Sequence, residues 1–189
     1  MPVLVVIPAR FGSTRYPGKP LALLQGKPLI QHVYENASAA RRIDAVFVAT
    51  DSECIADVVR GFGGRVLMTS DQLQSGTDRV AEAVAQVAAG GLRLTAQDVV
   101  VNLQGDEPMM RAEMIDQVVA LMDDPAADIG TLVRLIQSPD DVFNPHVVKA
   151  VFRPDGYALY FSRAPIPYHR DTFTPELVRL SQEDCAKIS

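Results

Sequence analysis

A parallel α/β fold with an added β-hairpin is what this sequence predicts, and three observations carry that expectation. Short apolar runs rich in β-branched residues recur at Val3–Ile7, Ala45–Ala49 and Val99–Leu103. Stretches with apolar residues at helical spacing lie between them. Further on, two apolar runs flank Arg153-Pro154-Asp155-Gly156, a hairpin signal. Alternating strand and helix with long connections favours a parallel sheet with right-handed crossovers.

Taken in order, Val3–Ile7 has the pattern of a strand buried on both faces. Pro28 opens a helix in which Leu29, Val33, Ala37 and Ala40 share a face. Ala45–Ala49 is a second buried strand, and Thr50 or Asp51 is placed to cap the helix carrying Ile55, Val58 and Val59. Gly61, Gly63 and Gly64 end that helix, and Arg65–Met68 forms a short third strand. Ser75-Gly76-Thr77 precedes a helix with Val80, Val84 and Val87, with Thr77 as its expected cap. Val99–Leu103 is the next buried strand, followed by a helix marked by Ile115, Val118, Val119 and Met122. The pattern changes after Ile129–Ile136, where Val147–Phe152 and Tyr157–Phe161 make the hairpin. One domain over residues 1–189 is expected, with no repeat or interdomain linker.

Composition narrows the function. A net charge of −5 argues against non-specific nucleic-acid binding, while leaving room for a local cationic cluster that takes a small anion. The two cysteines, Cys54 and Cys185, form no CxxC pair, so neither a disulfide framework nor a thiolate metal site is expected. Val3–Ile7 is too short for a signal-peptide core, and no run approaches the roughly 18 apolar residues of a spanning helix. The expectation is a cytoplasmic protein without membrane insertion.

Polar segments follow three of the strands: Arg10–Lys19, Asp51–Ser52 and Gln104–Pro108. Ligands of such sheets bind at the carboxyl ends of strands, so the three should converge on one crevice. The first reads Ala9-Arg10-Phe11-Gly12-Ser13-Thr14-Arg15-Tyr16-Pro17-Gly18-Lys19-Pro20, with three cations and two hydroxyls around two glycines. Turn N–H groups plus Arg and Lys suit phosphate. It is not a Walker A loop, because five residues separate Gly12 from Gly18 and Pro20 stands where that motif needs a hydroxyl. The bland alternative is a solvated surface turn. No GxGxxG fingerprint occurs, which disfavours a dinucleotide dehydrogenase.

In Gln104-Gly105-Asp106-Glu107-Pro108, adjacent carboxylates after a strand suit Mg²⁺, which prefers oxygen ligands, although Asp106 or Glu107 could instead cap the following helix. Asp106 is the favoured metal ligand. In Gln74-Ser75-Gly76-Thr77-Asp78-Arg79, Ser75 and Gly76 would let a base or ribose approach the backbone, and Arg79 is one turn into the helix. His32, His146 and His169 pair with no nucleophile, so no catalytic base is assigned.

The pieces IPARFGSTRYPGKPL, VATDSE, QSGTDR, VNLQGDEP, FNPHVVKAVF and GYALYFSRAPIP, in this order from Val3 to about Asp171, resemble the CMP-KDO synthetases, the 3-deoxy-manno-octulosonate (KDO) cytidylyltransferases. The resemblance implies a Rossmann-like three-layer nucleotidyltransferase fold with a mostly parallel sheet. It implies Mg²⁺-dependent transfer of CMP from CTP to KDO, releasing pyrophosphate, a step in lipopolysaccharide synthesis. By it, Ala9, Arg10, Ser13 and Lys19 lie at the nucleotide, with the last three on its triphosphate, and Ser75 and Gly76 lie near the nucleoside. Asp106 binds Mg²⁺ and, with Lys19, carries the catalysis. Arg15, Arg79 and Gln104 are candidates for the sugar side. Full-length relatives are implied to be homodimers. The segment Arg179–Ser189 matches none of the family's later motifs, so the sequence reads as C-terminally incomplete. That leaves two further readings: a nucleotide-binding remnant, and a cytidylyltransferase for another acidic sugar.

Overall fold

The computed structural model describes residues 2–12 and 17–168. The chain divides into two compact units, 1–132 and 133–189, each taken by itself below.

The first unit is built on a four-stranded parallel sheet in the order β5-β4-β1-β6. Its strands are β1 (Val3–Ala9), β4 (Ala45–Thr50), β5 (Val66–Met68) and β6 (Val99–Asn102). β1 is central and buried at every position, pairing Leu4 with Ala45 on one side and Val3 with Val99 on the other. Alternation along β1 divides the core between two faces. Val3, Val5 and Ile7 pack with α1 (Leu29–Ser38), α2 (Glu53–Gly61) and α4 (Ala112–Leu121), through residues such as Ile30, Ile55 and Ile115. Val6 points the other way, toward Val80 and Ala83 of α3 (Gly76–Ala89). Helices on both faces make the three-layer, mostly parallel α/β architecture that was predicted.

Several local expectations are corrected. The buried stripe of α1 is Ile30, Val33 and Ala37, so Leu29 is displaced from it by one position. Residue 52, rather than Thr50 or Asp51, is the N-cap of α2; the Thr50 hydroxyl accepts from the Ser52 N–H at 3.2 Å. Ser75, not Thr77, caps α3, in a reciprocal box with Asp78. β6 alternates buried and exposed residues instead of being buried throughout: Val99 and Val101 face the core, while Val100 and Asn102 lie on the other, exposed face. Between β1 and α1 lie a 3-10 turn (Lys19–Leu21) and a two-residue hairpin of β2 (Leu23–Leu24) and β3 (Lys27–Pro28).

The described part of the second unit holds α5 (Pro139–Phe143) and the predicted hairpin, β7 (Lys149–Phe152) with β8 (Ala158–Ser162). Gly156, with φ of 92°, makes its turn. Lys149 is buried, and its ammonium donates to the carbonyls of Asn144 at 2.9 Å and Arg163 at 2.6 Å. Burial, followed by the neighbouring Arg163 charge, pushes its pKa below the usual lysine value.

Candidate active site

A cleft of about 370 Å³ opens at the carboxyl ends of β1 and β6. Pro8, Ala9 and Arg10 line it from β1 and its exit, Lys19 and Pro20 from the 3-10 turn, Ser75, Gly76 and Arg79 from the start of α3, and Gln104, Gly105 and Asp106 from the exit of β6. Two of the three polar segments therefore converge there. The third does not line the cleft: Asp51 reaches it only through Arg79. A larger groove of about 870 Å³ follows β6 and α4, but its lining contains Asp98, Glu107, Asp123, Asp124 and Asp128 and, among the described residues, no Lys or Arg. An anionic ligand is matched by the smaller cleft, where the cations are.

The entry loop is pinned at its neck. Gly18 adopts φ of 70° and donates its N–H to the Phe11 carbonyl at 2.9 Å. Arg10 and Lys19 thereby flank one tie. Ser13 and Arg15 lie outside the described residues. At Lys19 the ammonium donates to Asp106 Oδ2 at 2.6 Å, across 87 positions of sequence.

Asp106 sits on a turn whose position is set by close packing. A Cβ at Gly105 would stand 3.1 Å from the Pro8 carbonyl oxygen and 3.3 Å from Ile30 Cδ1. A side chain here would press on β1, and glycine lets the backbone pass this near without that strain. Asn36 of α1 donates to the Pro108 carbonyl at 2.9 Å, tying down the other end of the turn. Neither Asp106 nor Glu107 caps α4, whose N-cap is Arg111, so capping does not account for either carboxylate. Gln104 donates its amide to Asn102 Oδ1 at 3.0 Å.

Ser75 is engaged with α3 itself: its hydroxyl accepts from the Asp78 N–H at 3.1 Å and donates to Asp78 Oδ2 at 2.7 Å. The first-turn N–H groups that this box does not serve are those of Gly76 and Thr77. Arg79 is 2% exposed. Its guanidinium donates to Asp51 Oδ2 at 2.7 Å and to the Thr69 hydroxyl, joining the ends of β4 and β5 to α3. Spacing alone had no means of finding those partners, although both follow strand ends.

Among the described residues no group of three or more His, Cys, Asp or Glu side chains could hold a metal ion. The donor set instead suits a cation that brings its other ligands along. Mg²⁺ commonly binds one or two carboxylates together with phosphate oxygens and water. Asp106 fits that pattern, being 46% exposed and at the cleft.

The chain matches the family model described as Cytidylyltransferase over residues 4–186. It is 55% identical over 173 residues to the 3-deoxy-manno-octulosonate cytidylyltransferase of Thermodesulfovibrio yellowstonii, covering 92% of this chain and 68% of that protein. The chain belongs to the 3-deoxy-manno-octulosonate cytidylyltransferase family. A family relative in Shewanella piezotolerans, named as an 8-amino-3,8-dideoxy-manno-octulosonate cytidylyltransferase, is 48% identical, covering 91% of this chain and 69% of that one. Among solved structures, a CMP:2-keto-3-deoxy-manno-octonic acid synthetase complexed with CTP superposes with a TM-score of 0.76 at 40% identity, covering 90% of this chain and 68% of that one. The chain thus spans about two thirds of the length of the family members it matches.

Proposed function

We propose that this chain carries the machinery that transfers CMP from CTP to KDO, giving CMP-KDO and pyrophosphate for lipopolysaccharide synthesis. The observation that carries the proposal is the convergence of Arg10, Lys19 and Asp106 on one cleft with the start of α3, in a member of this family.

In the proposed reaction the anomeric hydroxyl oxygen of the sugar attacks the α-phosphorus of CTP. A new O–P bond forms, the hydroxyl proton passes to solvent, and the bond from the α-phosphorus to the oxygen bridging it to the β-phosphate breaks, releasing pyrophosphate. Charge grows on the departing pyrophosphate, where Arg10 and Lys19 are placed to stabilise it. Ser13 is assigned to the triphosphate by the resemblance. Gly76 and Ala9 offer backbone surface to the nucleoside, while Ser75 holds the helix start in shape. Asp106 would hold Mg²⁺, which when bound neutralises phosphate oxygens and favours an in-line arrangement. Gln104 faces the cleft as a sugar-side candidate, joined by Arg15 from the resemblance. For Arg79 we propose support of the cleft floor, because its guanidinium is bonded to Asp51 and Thr69.

The 8-amino sugar is a second reading, favoured by the Shewanella piezotolerans relative. The reaction is proposed to be cytoplasmic; among the described residues no helix is long and apolar enough to cross a membrane. Exposed Leu159, Tyr160 and Phe161 on β8 supply apolar surface in keeping with a proposed homodimer. The test is pyrophosphate release from CTP, with Mg²⁺ and either KDO or its 8-amino analogue. Release with KDO well above that without sugar supports the proposal; preference for the analogue moves the assignment to the second reading. No release with either sugar, but tight CTP binding, would leave only a nucleotide-binding role.

A further inference from the structure

The ion pair between Lys19 and Asp106 joins two groups that the proposed reaction uses separately, one on phosphate and one on a divalent cation. The ammonium lies 2.6 Å from Asp106 Oδ2, and both residues line the same cleft. A divalent cation needs a carboxylate oxygen at about 2.1 Å, and beside this ammonium it would meet a like charge within a few ångströms. Pair formation and cation binding therefore compete. Both side chains are nearly half exposed, 42% and 46%, and Lys19 stands on a flexible stem, so the pair can open without disturbing the core.

We propose that Lys19 is a latch that keeps Asp106 from taking a divalent cation until a triphosphate arrives. The inference rests on the assignment of phosphate to Lys19 and metal to Asp106. A triphosphate offers the ammonium stronger acceptors and brings negative charge that offsets the cation. Its arrival draws Lys19 away and frees Asp106. Nucleotide and metal then bind cooperatively, and the empty cleft remains nearly neutral at this point instead of scavenging cations. The device needs no backbone movement: one side chain changes partner. By linkage, the factor by which bound nucleotide raises metal affinity is the factor by which bound metal raises nucleotide affinity.

Mn²⁺ alone, titrated into the ligand-free protein and followed by the electron paramagnetic resonance of the free ion, reads the latch without turnover. Lys19→Met should bind Mn²⁺ about fivefold or more tightly than the unaltered protein, the scale set by an exposed ion pair plus a nearby like charge. The gain should vanish in the Lys19→Met/Asp106→Asn double variant. Equal affinity of Lys19→Met and the unaltered protein, or a gain that survives in the double variant, overturns the latch. A parallel titration with CTP present tests the underlying assignment separately. There, Asp106→Asn must weaken Mn²⁺ retention; if it does not, the metal role of Asp106 fails whatever Lys19 does.

Discussion

Replacing Arg79 by Met separates a structural role from a ligand-binding one. The methionine keeps much of the aliphatic stem but removes the guanidinium that joins Asp51 and Thr69 to α3. Removing one partner of a buried ion pair costs about 3–5 kcal/mol, because the remaining charge is left without compensation. The Asp51 side chain retains 18% exposure, so water reaches it and the cost belongs at the low end, about 3 kcal/mol. For a domain of this size, roughly 2–4 °C of melting temperature is lost per kcal/mol, giving a fall of about 6–12 °C. Asp51→Asn should cost less, since the amide oxygen still accepts a hydrogen bond. Thermal unfolding by circular dichroism gives the first number, and the KM for sugar in the pyrophosphate assay gives the second. A melting temperature within about 2 °C of the unaltered protein, with a greatly raised sugar KM, would refute the reasoning and restore Arg79 to the sugar side.

Gly105→Ala would bring a Cβ to 3.1 Å from the Pro8 carbonyl of the buried central strand, so the 104–108 turn should shift by a few tenths of an ångström. With Asp106 next in sequence, that small shift should lower kcat several-fold, short of the roughly 10²-fold that a misplacement of about 1 Å can cost, while CTP affinity without metal changes little. Ser75→Ala removes the capping box of α3 and should cost about 1 kcal/mol in urea unfolding. The Arg42 guanidinium holds the Asp123 carboxyl below the usual carboxylate range, first through their hydrogen bonds. That contribution is present above the unfolded-state pKa of Asp and is lost as pH falls through the lower folded-state value. The melting-temperature gap between the unaltered protein and Arg42→Gln should therefore narrow from pH 6 toward pH 3, read by calorimetry.

Strands and their order along the chain were legible because a doubly covered parallel strand requires an uninterrupted apolar run, and Val3–Ile7 has no other reading. The cleft was legible for a related reason: polar residues immediately after such runs must emerge at one edge of the sheet. Helix registers were less so, because Leu29 and Ile30 are equally apolar and only packing against β1 selects Ile30. Caps failed where neighbouring hydroxyls compete; the choice of Ser75 over Thr77 depends on the reach of Asp78. Charge pairing was the least accessible. Arg79 resembles any cleft arginine until Asp51, 28 residues away, and Thr69 are brought beside it. The pairing of Lys19 with Asp106 likewise depends on β1 and β6 being neighbours.

The sheet order also governs how the chain leaves the ribosome. Its central strand, β1, is synthesised before both of its flanking partners, residues 45–50 and 99–102. At roughly 5–20 residues per second, the second partner follows the first strand by about 5–20 s. Throughout that interval an entirely apolar segment has at least one open hydrogen-bonding edge, the arrangement that invites pairing with another nascent chain. Yield in a cell is thus exposed to translation speed and chaperone supply through β1, and synonymous codons between residues 50 and 99 are a lever on recovery that native-state stability does not report.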